Sequence, residues 1–372
     1  MFIPSSSISE IVANIKAMNC SSHDTVMLLI AEQNAPSIPS LIEALKELNI
    51  EFFGGLFPSL IVGNKKHEEG VVLRQMPAAA PPFLVKDLNS KSCSLPNFEN
   101  LPIFEEEMTF IVLVDGLAGN ITHFLGEVYN ALGNSVNYIG GGAGSLSLEQ
   151  QPCLFTKEGF LEDAAILCPL TMSSSLGVRH GWKEVYGPLV ANKTKGNVIQ
   201  ELNWMNAFEA YKIVVEEDAQ QTLTADNFFS IAKGYPFGIS KNNSEKVVRD
   251  PISVNEKGEL ICVGEVPENS VLEILKGEKE ALIAAAGMAA QDCLIDNKPF
   301  QETLVIDCIS RVLFLEEDFE KELEIIQKNL QQKSNNIILE GVLTLGEISS
   351  HGQGILEFFN KTVVIGLLGN VK

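Results

Sequence analysis

The sequence predicts an α+β or mixed α/β fold of two domains, with mixed sheets and packed helices. Three observations carry this prediction. The 372 residues exceed what one typical core organises. A strand–helix–strand unit ending in adjacent glycines occurs twice, over 24–75 and 108–170. Beyond residue 205 the regular strand–helix alternation is lost. The expected domains are therefore 1–205, containing the duplicated units, and 206–372.

Residues 5–19 read as a helix, with Ile8, Ile11, Val12 and Ile15 at helical spacing. Thr25 to Ala31 is a buried strand. Ser40 and Glu43 suggest a capping box for the helix that carries Leu41, Ile42, Leu45 and Leu48. EFFGG, ending at Gly55, and GVVL, ending at Leu73, are the next two strands. Residues 76–102 hold five prolines and little periodicity, and are expected to be a connector. The second unit repeats the order: a strand at 109–114, a helix at 123–133, SVNYIGGG, and a strand at 164–170. A strand is expected at 173–182, then turns around Pro188 and Gly196. Helices follow at 207–217, 279–292 and 316–332, with strands at 260–266, 271–275, 303–308, 337–344 and 363–368.

Composition narrows the function. Lys and Arg total 27 against 48 Asp and Glu, a formal net charge of −21. Nucleic acid and anionic membranes are disfavoured as partners at long range. No signal peptide or apolar run of membrane-helix length is visible, so a cytoplasmic protein is expected. The seven cysteines are scattered without a CxxC and are expected to be reduced.

The chemistry-bearing candidates are few. Gly140, Gly141, Gly142 and Gly144 demand backbone rather than side chains, either in a tight turn or in a ligand-facing loop. Their spacing is neither a dinucleotide fingerprint nor a phosphate-binding loop. His180, in VRHGW, can ligate a metal or haem iron, or serve as an ordinary hydrogen-bonded histidine. His23, His67, His123 and His351 have no paired histidine motif. Arg311, three residues after Cys308, can take a carboxylate or phosphate in bidentate fashion, or form a salt bridge with the acidic helix that follows. Arg249 beside Asp250 suggests a turn with an internal ion pair, and Glu347 a strand-end carboxylate. A hydrolase or transferase using Cys308 lacks a visible general base.

The succession GGGAG, VRHGW, VRDP, GEVPEN, CISR, GEIS and FNKT resembles the FIST family, two-part sensory domains with FIST N followed by FIST C. It departs from the family pattern at Ser145, where an acidic residue is usual, at Asn203-Trp204, where Asp-Gly is usual, and at Phe359, where histidine is usual. The resemblance implies a non-enzymatic bacterial sensor of a small molecule or gas, acting in trans on a partner such as a histidine kinase. A homodimer is also open. A subset of similar layout comprises nitric-oxide-sensing haemoproteins, which implies haem b with His180, or else His351, as axial ligand. The alternative is a haem-free sensor of a small anionic metabolite such as an amino acid, with Arg249 and Arg311 as clamps. Gly141, Gly142, Gly144 and Glu347 complete the expected ligand-binding set.

Overall fold

The computed structural model describes residues 1–90, 94–103, 107–240, 245–295, 299–333, 337–350 and 355–370. It has a mixed α/β architecture with four sheets, in which the strand–helix–strand unit occurs three times rather than twice.

In the first unit, strand Asp24–Ala31 runs parallel to Glu51–Phe57 across helix Ile38–Lys46, and Val71–Pro77 returns antiparallel to the first strand. The central strand is apolar from Val26 to Ala31 because both faces are covered. The helix is preceded by Ser37 rather than Ser40, with a proline in its first turn. The second unit repeats this with Thr109–Asp115, helix Ile121–Leu132, Asn137–Ala143 and the returning Ala164–Leu170. The third is Glu302–Cys308, helices Ile309–Leu315 and Phe319–Gln331, Glu340–Thr344 and the returning Val363–Asn370.

Each unit also gives away a hairpin. Ser59–Val62 and Lys65–His67 join the third unit's sheet beside Glu340–Thr344. Leu154–Thr156 and Gly159–Leu161 join the first unit's sheet. Glu347–Ser350 and Leu356–Phe359 join the second unit's sheet beside the glycine strand. Each sheet is thus six-stranded in the same order, and the exchange closes a ring. An extra edge strand completes each one: Phe2–Ile3, Phe83–Lys86 and Met172–Arg179. The expected connector at 76–102 therefore contains a strand.

The fourth sheet lies in sequence between Met172–Arg179 and helix Lys279–Asp292, inside the third unit. It runs from Lys183–Ala191 at one edge through Ser270–Lys276, Phe237–Ile239, Val247–Val254, Leu260–Val263 and Val198–Leu202 to Lys193–Lys195. The turn expected at Pro188 is a strand whose register shifts on both sides of Tyr186, as a residue without an N–H requires on an edge. The helix starting at Ile309 was not expected; it is short, and the chain breaks at Glu316, where φ is +57°.

Three of the four sheets combine strands from both sides of residue 205. The largest apolar core likewise draws on residues from Met27 to Leu368. Among the described residues, no helix is long and apolar enough to cross a membrane.

Candidate functional site

The quoted motifs converge. Strand Glu302–Cys308 ends at Cys308, and the first helical turn after it presents Ser310 and Arg311. Strand Val247–Val254 of the inserted sheet brings Arg249, Asp250 and Ile252. The turn after Leu356–Phe359 brings Asn360, Lys361 and Thr362, with Lys361 at φ +53°. VRHGW lies behind this turn.

Lys361 is fully buried, its Nζ 3.1 Å from Asp250 Oδ2, donating to the Lys233 carbonyl at 2.9 Å, and 4.9 Å from the Trp182 ring centre. Ser310 Oγ donates to the same Asp250 oxygen at 2.8 Å. Burial pushes the Asp250 carboxyl up, while Lys361 and Ser310 pull it back. The Lys361 ammonium at 3.1 Å favours the carboxylate form. Its other oxygen, Oδ1, has no hydrogen-bond partner, and neither has Asn360 Nδ2. Asn360 Oδ1 accepts from Arg249 Nη1 at 3.3 Å.

Asp250 and Asn360 line a chamber of about 140 Å³. Its other walls are mainly apolar, among them Leu117 and Leu148 of the second unit, Ile309 and Leu345 of the third, and Ile252 and Val263 of the inserted sheet. Leu146, Leu148, Phe229 and Leu313 at its rim remain exposed. Leu148 has φ +55°, a backbone region that a bulky side chain rarely adopts. A wider cavity of about 490 Å³ adjoins the chamber, shares Leu117, Leu148, Ile252 and Val263, and extends over the start of helix Ile121–Leu132. Both lie at carboxyl ends of parallel strands, where α/β sheets place ligands.

The expected site residues divide between wall, support and neither. Gly141 pairs with Glu347 across the exchanged hairpin, and the Gly142 N–H donates to the Gly346 carbonyl at 2.7 Å. A Cβ on Gly144 would lie 2.6 Å from Leu345 Cδ1. These glycines seat Leu345, a chamber wall, and line neither cavity themselves. Glu347 is buried and accepts from Thr344 Oγ1 at 2.9 Å and the Thr362 N–H at 3.1 Å. Burial pushes its carboxyl up to about 8 against those donors.

Arg311 is buried at the hub, not at a surface salt bridge. It donates to both Glu322 oxygens at 3.1 and 2.6 Å, and to the carbonyls of His180, Lys361 and Leu282. Asp307 stands 3.4 Å away, its carboxyl pushed well up by burial and by Glu322. Arg249 donates to the carbonyls of Glu265, Val248 and Phe358 besides Asn360. Instead of pairing with Arg249, Asp250 pairs with Lys361. Both arginines spend their donors inside the protein, and neither lines the chamber.

His180 Nδ1 accepts from the Trp182 N–H at 2.9 Å, and Nε2 lies 3.6 Å from Glu245 Oε1. Burial draws the imidazole down to about 4 despite Glu245, so at neutral pH this contact involves a neutral ring. His180 lines neither cavity; Glu245, Arg179, Lys246 and Arg311 place charges around its ring. His351 lies outside the described residues. Among those residues, no three potential metal-ligating side chains converge. Cys308 faces the chamber, but burial pushes its thiol far up, away from a reactive thiolate.

From the sequence Asp250 reads only as the partner of Arg249, and Asn360 and Lys361 only as part of FNKT; none of the three reads as a site residue. Asn360 and Lys361 follow the apolar strand Leu356–Phe359, a polar run at a strand end that could have marked them, whereas Asp250 lies in the middle of its strand.

Two family models match the chain. The FIST N domain family matches residues 67–205, and the FIST C domain family matches residues 207–350. No curated protein matches the chain. The chain carries a FIST N domain followed by a FIST C domain, the arrangement of a small-ligand sensory signalling protein.

Proposed function

We propose that this protein senses a small ligand held in the Asp250–Asn360 chamber and passes its occupancy to a separate protein, a histidine kinase being the partner class the family resemblance suggests. One observation carries the reading: a mainly apolar chamber whose wall residues include Asp250 and Asn360, each holding one buried polar atom without a partner. Such atoms are costly to leave unpaired, and a ligand that pairs them recovers that cost. The walls come from the second unit, the third unit and the inserted sheet, so occupancy biases how these three bodies pack. The exposed leucines of loop 144–150 couple the chamber to the surface. Leu146 donates its N–H to Glu32 of the first unit, and Gln150 Nε2 donates to Asp115 of the second.

Haem-based sensing of nitric oxide draws no support from the surroundings of His180, which lines neither cavity. A chamber of about 140 Å³ is close to the roughly 150 Å³ that accepts benzene, far below a porphyrin. An anionic ligand would lack a counter-charge, because Arg249 and Arg311 stand outside the chamber with their donors engaged.

The reading is tested by a thermal-shift screen of small metabolites on the wild-type chain and on Ile252→Trp, which fills the chamber. A ligand that raises the wild-type Tm by several degrees is expected to leave the variant unmoved. Leu148→Trp, at the exposed rim, gives a second block that spares the core. Ligands that stabilise all three chains equally would place sensing elsewhere.

A further inference from the structure

We infer that the chamber ligand is a small neutral amide, a lactam or primary carboxamide on an apolar ring or short chain, with its N–H donating to Asp250 Oδ1 and its carbonyl accepting from Asn360 Nδ2. This rests on the chamber being the sensory site, and adds the chemical class of the ligand.

The hydrogen-bond pattern comes first. Asp250 Oδ2 already accepts from Lys361 and Ser310, which leaves Oδ1 as the open acceptor. Asn360 Oδ1 accepts from Arg249, a group with no acceptor of its own. That contact fixes the orientation of the asparagine amide and leaves the NH2 as the open donor. Two wall residues of the chamber therefore hold one unpaired acceptor and one unpaired donor. The two atoms do not bond each other, so each calls for a partner of its own. An amide edge carries a donor beside an acceptor.

Charge comes second. The Asp250 carboxylate is matched by Lys361, whose ammonium is buried with it. A cationic ligand would overcharge the pair. An anionic one would meet a carboxylate with no free cation among the described lining residues. Size and polarity come third, because about 140 Å³ walled by Leu, Ile and Val admits one six-membered ring. Apolar atoms of such a ring would fill the chamber beneath Leu117, Leu148, Ile252 and Val263.

The test is titration calorimetry of the full chain with four probes built on one six-membered ring: 2-piperidone, cyclohexanone, cyclohexanol and the larger cyclohexanecarboxylate. 2-Piperidone is expected to bind, and cyclohexanone, which keeps the acceptor and lacks the N–H, to bind weaker by about tenfold or more, since it leaves Oδ1 unpaired. Asn360→Leu is expected to weaken 2-piperidone by a similar factor, and Ile252→Trp to abolish its binding. Cyclohexanone, cyclohexanol or the carboxylate binding as tightly as the lactam overturns the amide assignment and leaves the chamber as the sensory site. So does a series in which no probe binds while another small molecule still loses its stabilisation in Ile252→Trp. Probe binding that survives Ile252→Trp overturns the site itself. The probe comparison is made on the unaltered chain, so it stands even if Asn360→Leu folds poorly.

Discussion

Lys361 shows how one side chain can hold several motifs together. Its ammonium is fully buried, pairs with Asp250 and donates to the Lys233 carbonyl, while its own carbonyl accepts from Trp182 Nε1 and Arg311. Removing one member of a buried pair leaves the other as an uncompensated charge, which costs about 3–5 kcal/mol. Lys361→Met is therefore expected to destabilise by that order in urea unfolding. Asp250→Asn combined with Lys361→Met should recover a large part of the loss, because no lone charge remains. A double variant as unstable as the sum of the singles would deny the pairing. At this scale the sequence was only half legible. VRDP and FNKT could be read as motifs, but their joining into Asp250–Lys361 and Arg249–Asn360 contacts spans over a hundred residues. The adjacent Arg249-Asp250 dipeptide suggested a local ion pair that the strand geometry forbids, since neighbours on a strand point to opposite faces.

The repeated element is marked by a glycine in the second parallel strand. Gly54, Gly140 and Gly341 lie opposite Leu28, Val112 and Val305, and a Cβ on any of them would overlap the carbonyl oxygen of that facing residue. Equivalent glycines meeting equivalent carbonyls explain why EFFGG and YIGGG read alike. The third copy, LEGVLT, keeps only Gly341, and its helical crossover is broken into two pieces, so the sequence did not disclose it. The exchanged hairpins have strands of three or four residues, too short to show a period. Gly140→Ala is expected to cost more than about 3 kcal/mol, because backbone must move to admit the methyl. Gly63→Ala, at φ +62° with open space around it, should cost only about 1 kcal/mol. Thermal unfolding of the two variants side by side checks the ranking, and similar losses would contradict the close approach.

At the scale of the whole molecule, the two matched families meet near residue 206, yet the sheets ignore that point. The third unit's sheet needs Met172–Arg179 and Ser59–Val62 from the first half, and the second unit's sheet needs Glu347–Ser350 from the last third. The inserted sheet likewise pairs Lys183–Ala191 with Ser270–Lys276. A fragment 1–205 would expose the edge of its glycine strand, and 206–372 would keep the three central strands of its sheet but lack the strands that flank them, Met172–Arg179 on one side and Ser59–Val62 on the other. Unpaired edges and half-covered apolar sheets do not sustain a cooperative fold. Each fragment expressed alone is thus expected to show no cooperative thermal transition, and the two expressed together to assemble into a complex that unfolds in a single step. A fragment 206–372 that melts sharply by itself would show that the ring is decoration on independent domains. The chamber depends on the same closure, because its walls come from residues on both sides of the cut: Leu117 and Leu148 on one, Asp250, Ser310 and Asn360 on the other. Ligand binding should therefore appear only in the reassembled pair, which makes restored binding a second readout of the exchange.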